Sequence, residues 1–453
     1  MSVAEPAFIP PAILPPARPP GLAAAFRSVR TAIDAWPRGV FEGGFHRLRL
    51  PGAPVVVSDP AMAAEVLLEK AEDFPRGERI NRLFRPMWGR GIFVTEGAEW
   101  RWQRRAGAPA FRPAQMAALV PLMRAAAERT LGEWRPGRSF CLQDETRRLT
   151  LNVLFDAALS GGEDFPDKVE ASRQIETFVS GVGKFMPTDF LPMPDSWRPS
   201  VSARGGKPAA YMRDHVGAMV ARRRGEGRPR GDLVDLMMAA VDPETGARMD
   251  DVLVRDNLIG FIAAGHETSA HALSWALWLV ASHPPTERRL LAEIEAVAGR
   301  KPIAADHLDR LVFARQVVQE TMRLYPGGVA LARTAQRDTS IGGHPVRRGT
   351  LVTVAVYALH RRADFWENPN AFDPDRFAPA RQAHRPPFVY QPFGAGPRVC
   401  MGAAFAMTEL VVALATLVRG ARLTPDPERQ VRVGVRLGAL VAKDGLWMTA
   451  SPR

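Results

Sequence analysis

The chain has 453 residues, of which 46% are hydrophobic and 24% are charged, so it can bury a large core and is not a disordered protein. Its two cysteines, Cys141 and Cys400, exclude a disulfide framework and a four-cysteine zinc or iron–sulfur site, and they fit a reducing compartment. The formal net charge is +12, but the arginines are scattered and no nucleic-acid recognition motif accompanies them. We therefore expect no nucleic-acid partner. Docking of an acidic protein and an arginine-rich surface without a single partner both stay open.

The N-terminus is rich in proline, with seven prolines in the first twenty residues. Because proline removes helix hydrogen bonds, residues 1–22 are predicted to form an irregular arm, and neither a signal peptide nor a membrane anchor. The apolar stretch from Ile259 to Val280 holds His266 and Glu267, which favours a buried helix over a membrane span. We therefore predict a cytoplasmic protein with a single domain over residues 23–453.

Beyond the arm, helical periodicity dominates, with short strand signals near both ends of the sequence. Two strands around a turn are predicted between residues 45 and 58, a hairpin in 340–356, a last helix over 402–418 and short strands near 430–449. Asp306 is expected to cap the helix that follows it. The other helices predicted from apolar spacing lie near residues 60–70, 98–107, 113–133, 145–160, 208–224, 250–282, 285–297 and 308–324. The fold class is therefore mainly α with small β-sheets.

The strongest motif surrounds Cys400, where the segment FGAGPRVCMG has the spacing FxxGxRxCxG. A thiolate that ligates a metal needs its charge stabilised, and backbone N–H groups of a tight glycine turn supply this stabilisation. Gly396 permits such a turn, and Phe393 can cover the sulfur against water. A structural cysteine beside a glycine turn would not require this spacing, so we identify Cys400 as a metal ligand.

This segment resembles the haem-binding loop of cytochromes P450, and the resemblance covers most of the chain from about residue 45. It implies the fold of that family, a triangular prism of helices around a buried haem b, with Cys400 as the axial ligand to the iron. It also implies that Arg398 pairs with a haem propionate. Gly402 would let the next helix approach the macrocycle and direct its N-terminal dipole at the thiolate. Thiolate ligation in the family favours O–O cleavage.

The helix near 308–324 carries the pattern ExxR, in which Glu320 and Arg323 share one helix face and can form a bidentate pair. Alone this pattern is weak, because exposed pairs at this spacing are common. The segment FDPDRF resembles a second family motif and implies that Arg376 completes a three-residue network with the pair. We expect this network to be structural rather than catalytic.

The predicted helix at 250–282 contains AAGHET, which resembles the oxygen-activation motif of the family. Ala264 and Thr268 lie one turn apart on one face. Gly265 costs about 1 kcal/mol relative to alanine inside a helix, so a closely packed haem and a local widening for dioxygen are expected there. The resemblance implies that Thr268 and Glu267 are catalytic, through proton delivery. In the absence of the Cys400 motif, a threonine that caps a bent helix would be the better interpretation.

The same stretch approaches the zinc signature HExxH but contains one residue too many between His266 and His271. Histidines at i and i+4 lie about 40° apart around a helix, whereas at i+5 they lie about 140° apart. The two rings cannot hold one zinc ion together, so a zinc hydrolase is excluded.

A third supporting motif is WxxxR, formed by Trp100 and Arg104 on one predicted helix face. The resemblance implies that both contact a haem propionate, as does Arg333 in the stretch after ExxR. A surface contact between tryptophan and arginine is the alternative for the first pair.

The resemblance implies a monooxygenase that inserts one oxygen atom from dioxygen into a hydrophobic organic substrate, by hydroxylation or epoxidation. Electrons would come from NAD(P)H through a separate ferredoxin and ferredoxin reductase, since no reductase segment follows the haem domain up to residue 453. We expect a monomer. A peroxygenase that uses hydrogen peroxide and a haem carrier or gas sensor are the alternatives, and the pair of Glu267 and Thr268 disfavours both.

The substrate pocket is expected to be apolar, which suits a fatty acid, a terpenoid or an aromatic compound. The sequence does not choose among these three. The residues predicted to line the pocket are those of the 78–95 loop together with Phe261, Ala264, Val329, Ala330 and Leu437.

Overall fold

The computed structural model describes residues 7–14, 33, 36–50, 52–159, 167–182, 201–436 and 438–453. The helices of these residues are α1 Pro60–Ala64, α2 Glu78–Trp88, α3 Gly97–Gly107, α4 Pro113–Glu133, α5 Leu142–Ala158, α6 Lys168–Val182, α7 Val201–Glu226, α8 Leu233–Ala239, α9 Asp251–Ser282, α10 Pro284–Ala298, α11 Val312–Leu324, α12 Val356–Leu359, α13 Pro379–Gln382 and α14 Ala403–Gly420. The strands are β1 Phe45–Arg47, β2 Val55–Val57, β3 Phe140–Cys141, β4 Leu331–Thr334, β5 Thr339–Ile341, β6 His344–Val346, β7 Leu351–Val354, β8 Ala421–Pro425, β9 Val433–Arg436, β10 Ala439–Ala442 and β11 Trp447–Pro452.

The protein is mainly α with small sheets, as the sequence predicts. Helix α9 is its central element and contacts α5, α7, α11 and α14. The Asp250 carboxylate caps its N-terminus by accepting a hydrogen bond from the Leu253 N–H at 2.7 Å. The helix stops at His283, because the following proline disfavours the α conformation there. Every residue from 269 to 280 is buried, as expected for a helix that is apolar on all sides.

The largest sheet has the strand order β1-β2-β7-β4. Strands β1 and β2 form the antiparallel pair predicted between residues 45 and 58, and β2 also pairs in parallel with β7. The three valines of β2 are all buried, as is usual for a strand covered on both faces. Strands β9 and β10 form an antiparallel hairpin in which Arg436 is paired with Ala439.

Part of the predicted proline-rich arm packs against the domain. Residues 7–14 contain neither helix nor strand. The Phe372 N–H donates to the Phe8 carbonyl at 2.9 Å, the Tyr325 hydroxyl donates to the Pro11 carbonyl at 2.7 Å, and the Ile13 N–H donates to the Tyr357 hydroxyl at 3.0 Å. This stretch is therefore bound by hydrogen bonds to three separate parts of the chain.

Two predictions of local structure are wrong. The segment 78–95, expected to be a loop, begins with helix α2. Asp306 does not cap α11, because it lies in a single 3-10 turn, Ala305–His307, and the helix starts only at Val312. The Glu293 side chain of α10 accepts from the first free N–H groups of α11 instead, so a tertiary contact fixes this helix start.

Among the described residues, one helix, α14, is long and apolar enough to cross a membrane, with a mean hydropathy of 1.5. More than half of it, 56%, is buried inside the protein. The core helix of a globular protein passes the same test, so this is weak support for a membrane segment.

Candidate active site

The loop before α14 has the geometry that its glycines predict. Gly396 has φ of +70°, and a Cβ on it would lie 1.8 Å from the Leu67 carbonyl oxygen. No side chain fits at this position. The turn places the Cys400 N–H 2.9 Å from the Phe393 carbonyl, to which it donates. Phe393 itself packs against the main hydrophobic core.

Cys400 lies at the N-terminal end of α14, where Gly402 is the N-cap residue. Its side chain has accessible surface, yet the sulfur lies in a recess, since burial is the largest effect on the thiol and raises its pKa. The Gly402 N–H, Arg104 and Arg76 oppose that rise because each stabilises a thiolate. The other cysteine, Cys141, has no arginine among these influences, and burial and Asp144 raise its pKa.

Arg76 and Arg104 act on the thiol in the recess of Cys400, and Arg333 lies near Arg76 and Arg398, so the four arginines form one cluster. Glu96 is a carboxylate of this cluster among the described residues. Glu96 forms an ion pair with Arg398, whereas no ion pair of the described residues joins Arg76, Arg104 or Arg333 to a carboxylate. Burial, together with repulsion from Arg76 and Arg398, lowers the pKa of Arg333 to about 9. Buried guanidinium groups in excess of acids need anions. The two propionates of a haem supply two negative charges, so these residues fit that cofactor.

Arg76 is the member of this cluster that the sequence analysis missed. It donates to the Phe93 carbonyl at 2.8 Å and influences the Cys400 thiol. Its neighbours in sequence, Pro75 and Gly77, belong to none of the motifs described above. Only the folded chain brings it to the recess.

Trp100 and Arg398 form a direct contact, with the guanidinium carbon 4.4 Å from the centroid of the indole ring. Arg398 also donates to the Thr95 carbonyl at 2.9 Å. Trp100 and Arg104 both lie on α3 and are both half-buried. Their predicted contact with a propionate stays a prediction.

In the middle of α9, Thr268 keeps an exposed side chain although residues 269 to 280 are all buried. Its hydroxyl donates to the Ala264 carbonyl one turn earlier, at 2.7 Å. The helix is continuous from Asp251 to Ser282, so the expected widening at Gly265 is absent from the described structure. A Cβ on Gly265 would lie 3.3 Å from the Leu154 side chain of α5. The glycine therefore permits the close approach of α5 and α9, which explains it without a widened turn.

Glu267 lies in a cluster of cations and histidines. Its Oε1 is 3.1 Å from Arg147 Nε, and its Oε2 is 3.4 Å from Arg436 Nη2 and 3.5 Å from His271 Nε2. Its side chain is 13% exposed. Burial raises the pKa of Glu267, but the neighbouring histidines His266 and His271 and the two arginines together outweigh that effect, and the pKa is lowered. The carboxylate is therefore ionised near neutral pH.

His266 and His271 flank this carboxylate without forming a metal site. His266 lies 3.9 Å from the Glu267 carboxylate. Burial lowers the pKa of His271 to about 4 and lowers that of His266 as well. No group of three or more potential ligands for a metal ion occurs in the described part of the chain.

Glu320, Arg323 and Arg376 come together in the core. Arg323 donates to both Glu320 oxygens, at 2.6 and 2.7 Å, and both side chains are fully buried. Arg376 Nε lies 3.3 Å from Glu320 Oε1. The Asp373 N–H donates to the same oxygen at 3.0 Å. The remaining Arg323 donors bind the carbonyl oxygens of His360, Pro369 and Ala371.

The residues predicted to line the substrate pocket differ in accessibility. Phe261, Ala264 and Ala330 keep part of their surface accessible. Phe261 has ring contacts to Phe93 and Phe111. Val329 is 1% exposed and belongs to the main core, so it presents no accessible lining surface here. Leu437 lies outside the described residues.

Comparison with known proteins is consistent with this geometry. The model of the cytochrome P450 family matches residues 43–444. The crystal structure of the cytochrome P450DA heme domain superposes with a TM-score of 0.80 at 26% identity, and the match covers 98% of this chain and 97% of that one. The chain thus belongs to the cytochrome P450 family, and it is a monooxygenase of that family, whose cofactor is haem.

Individual relatives are moderately similar. Cyclooctat-9-en-7-ol 5-monooxygenase of Streptomyces melanosporofaciens is 31% identical over 383 residues, 83% of this chain and 82% of that protein. Putative cytochrome P450 137 of Mycobacterium tuberculosis is 30% identical over 397 residues, 85% of this chain and 79% of that protein. The bifunctional cytochrome P450/NADPH–P450 reductase ALT2 of Alternaria alternata is 29% identical over 417 residues, 88% of this chain but 37% of that protein.

Proposed function

We propose that this monooxygenase binds haem b through Cys400 and inserts one oxygen atom from dioxygen into a hydrophobic organic substrate, by hydroxylation or epoxidation. The observation that carries the proposal is the recess in which Cys400 stands at the start of α14 beside four arginines. A thiolate at a helix N-terminus and an excess of guanidinium groups suit the iron and the propionates of one cofactor. When bound through a thiolate, haem supplies the activation of dioxygen.

In this proposal each residue around the recess has a separate task. Arg76, Arg104, Arg333 and Arg398 bind the propionates, and Trp100 holds the Arg398 guanidinium in place. The Gly402 N–H stabilises the thiolate, while Phe393 and Gly396 shape the loop. Ala264, with its small side chain, lets α9 approach the macrocycle, while Gly265 lets α9 pack against Leu154 of α5. The network of Glu320, Arg323 and Arg376 keeps the surrounding core rigid.

Thr268 and Glu267 would deliver protons to the reacting oxygen. The Thr268 hydroxyl is accessible, and its hydrogen bond to a carbonyl leaves the hydroxyl oxygen free to accept from a water molecule. Glu267, the next residue, is linked to partly exposed groups through Arg147 and Arg436. The pair therefore connects the surface of the protein with the accessible side of α9.

The substrate is proposed to be apolar, because Phe261, Ala264 and Ala330 offer an apolar accessible surface. By its name, the Streptomyces melanosporofaciens relative acts on cyclooctat-9-en-7-ol, an unsaturated alcohol. This agrees with a hydrophobic substrate but does not choose among fatty acids, terpenoids and aromatics. Spin-state shifts of the haem absorption band across a panel of such compounds would choose among them.

Electrons are proposed to come from NAD(P)H through a separate ferredoxin and its reductase. The protein is proposed to act in the cytoplasm as a monomer, with no nucleic-acid partner. The net charge of +12 suits an acidic ferredoxin. The Alternaria alternata relative, by its name, combines a P450 and a reductase, so electron supply differs within the relatives.

Turnover with defined electron donors tests this proposal against its alternatives. A surrogate ferredoxin, its reductase and NADH should support product formation, whereas hydrogen peroxide alone should give a much lower rate. A higher rate with peroxide would favour a peroxygenase. Haem binding without product under either condition, over a broad substrate panel, would favour a carrier or sensor.

A further inference from the structure

Arg436 is shared by two carboxylates that belong to different helices. Its Nη2 atom lies 2.8 Å from Glu176 Oε1 on α6 and 3.4 Å from Glu267 Oε2 on α9. The arginine itself is the last residue of β9. One guanidinium nitrogen therefore lies between the acid of the proposed proton path and an acid of a separate helix.

Of the groups around Glu267, two are permanently charged cations. His266 and His271 face it from α9, Arg147 from α5, and Arg436 from β9. Burial keeps the pKa of both histidines low, with that of His271 at about 4, so neither ring is charged near neutral pH. Arg147 and Arg436, at 3.1 and 3.4 Å, are then the permanent positive charges in contact with the carboxylate.

The two contacts of Arg436 differ in their exposure to water. The Glu267 side chain is 13% exposed, whereas those of Arg436 and Glu176 are 35% and 36% exposed. Water and salt screen the outer contact and leave the inner one strong. Glu176 can therefore exchange Arg436 for water at little cost, but Glu267 loses a cation that water does not replace.

We propose that Arg436 is a positioning residue for Glu267, and that Glu176 competes for it, so that the position of α6 sets how readily Glu267 takes up a proton. This inference rests on the proposed function, in which Glu267 passes protons toward Thr268. When Glu176 draws Arg436 outward, Glu267 retains Arg147 alone and accepts a proton more easily. When α6 moves away from β9, Arg436 turns fully to Glu267 and holds it ionised.

Helix α6 is suited to such a motion by its contacts. Its extensive contact is with α7 and its contacts with α2 and α5 are smaller, so α6 and α7 would move together over the core. Ile175 and Phe178 are buried on one face of α6, whereas Glu176 is partly exposed on another face of the same helix. A small shift of this helix changes the outer contact of Arg436 and leaves α9 in place.

An infrared titration of the Glu267 carboxyl group tests the proposal without any turnover. The resting holoprotein is titrated, and the protonated-carboxyl band is assigned by its loss in Glu267→Gln. The titration is run in an Arg147→Gln background, because removal of that cation should raise the pKa of Glu267 and so bring its titration to a higher pH. Circular dichroism and haem content confirm that each variant is folded.

Two further substitutions in this background should move the midpoint in opposite directions. Arg436→Gln should raise it by about one pH unit or more, since a cation within about 4 Å is lost. Glu176→Gln should lower it, since Arg436 then turns to Glu267. Arg436→Lys should leave the midpoint close to that of the Arg147→Gln background, because lysine retains the positive charge.

The combined variant separates sharing of Arg436 from plain repulsion between the two acids. With Arg436 replaced by glutamine, the effect of Glu176→Gln should shrink to less than half. An equal effect with and without Arg436, or an unchanged midpoint in Glu176→Gln, would overturn the proposal. If the midpoints move as expected but no NAD(P)H-dependent product forms, the proposed function fails while the sharing of Arg436 stands.

Discussion

At the residue scale, the hydroxyl of Thr268 combines a hydrogen bond that is typical of a structural threonine with an accessibility that such a threonine does not need. It donates to the Ala264 carbonyl at 2.7 Å, and its side chain is nonetheless exposed in the middle of a buried helix. A hydroxyl that serves only to satisfy a carbonyl would be as well placed on a buried face. Its accessibility supports a role toward a bound molecule.

Thr268→Ala should therefore keep haem, substrate binding and NAD(P)H consumption while it lowers the product formed per NAD(P)H. Loss of one proton-delivering group of this kind typically costs about 100- to 10,000-fold in the step that it assists. Hydrogen peroxide should appear in place of product, and it can be measured together with NAD(P)H. Thr268→Ser, which retains the hydroxyl, is the matched control. Full coupling in Thr268→Ala would show that the hydroxyl serves only the helix.

The pair of Glu320 and Arg323 is a second residue-scale feature with a large expected effect. Both side chains are fully buried, and removal of one partner leaves the other charge uncompensated. Either Glu320→Ala or Arg323→Ala should cost about 3–5 kcal/mol of stability and prevent stable haem incorporation. The yield of haem-loaded protein measures this directly.

The exposed pair of Glu170 and Arg173 has the same i, i+3 spacing and offers a matched control. Glu170→Ala should yield holoprotein at the wild-type level. Wild-type yield of the Glu320 and Arg323 variants as well would contradict the structural role of the buried pair.

At the element scale, His360 connects α11 to the loop that carries Cys400. The Gln391 N–H donates to its Nε2 at 2.8 Å, so Nδ1 carries the proton and donates to the Arg323 carbonyl at 3.2 Å. Burial and the neighbouring Arg323 and Arg361 lower the pKa of His360 to about 3. The neutral ring of His360 thus links α11 to the loop that carries Cys400.

This predicts a pH dependence of stability with a defined sign. In the unfolded chain His360 binds a proton near pH 6.5, but in the folded protein it does so only near pH 3. The unfolded state therefore holds the extra proton between these values, and the free energy of unfolding falls as pH falls through this window. One proton corresponds to about 1.4 kcal/mol per pH unit.

Denaturant unfolding of holoprotein between pH 6 and pH 4.5 measures this slope. His360→Gln should reduce the slope by about one proton, whereas the exposed His344, replaced in the same way, should leave it unchanged. Equal slopes in wild type and His360→Gln would show that the ring is not held neutral.

Local patterns predicted the elements whose ends are fixed by their own sequence. Helix α4 spans 113–133 as expected, because Pro113 occupies the first helical position. Helix α9 agrees with its prediction because Asp250 caps it and Pro284 follows it. Helix α2 was missed, since it contains Pro86 in its last turn and starts after an uncapped Gly77.

Features that depend on contacts between distant parts of the chain could not be predicted in this way. The start of α11 depends on Glu293, and the need for a glycine at 265 depends on Leu154. At the site, the fixed residues of the Cys400 loop were found by spacing, whereas Arg76 belongs to no pattern. Its place beside the thiol exists only in the folded chain.

At the scale of the whole molecule, fewer positive charges are available for docking a partner than the net charge of +12 suggests. Arg105 on α3 forms two hydrogen bonds to the fully buried Asp242 carboxylate, at 2.8 and 2.9 Å. Asp242 therefore neutralises its charge within the fold, and Arg105 is a poor candidate for a docking residue. Arg101 on the same helix is half exposed and contacts only the exposed Glu72 among the described ion pairs.

Charge reversal at Arg101 should therefore weaken ferredoxin-supported turnover, and the rate at limiting ferredoxin should fall as salt rises. Arg101→Glu should raise the ferredoxin concentration needed for half-maximal rate several-fold. Arg300 is exposed in the loop after α10 and offers a control. Arg300→Glu changes the net charge by the same amount and should have little effect on the ferredoxin concentration needed for half-maximal rate. A rate that does not depend on salt would show that net charge has no docking role.

The central claim, that Cys400 is the thiolate ligand of a haem, has one direct test in the absorption spectrum of the reduced protein with carbon monoxide. The wild type should show the long-wavelength band that is characteristic of thiolate-ligated haem. Cys141→Ser should retain this band, because that cysteine lies in β3 away from the arginine cluster, and Cys400→His should lose it while still binding haem. Loss of the band in Cys141→Ser, or its persistence in Cys400→His, would contradict the assignment.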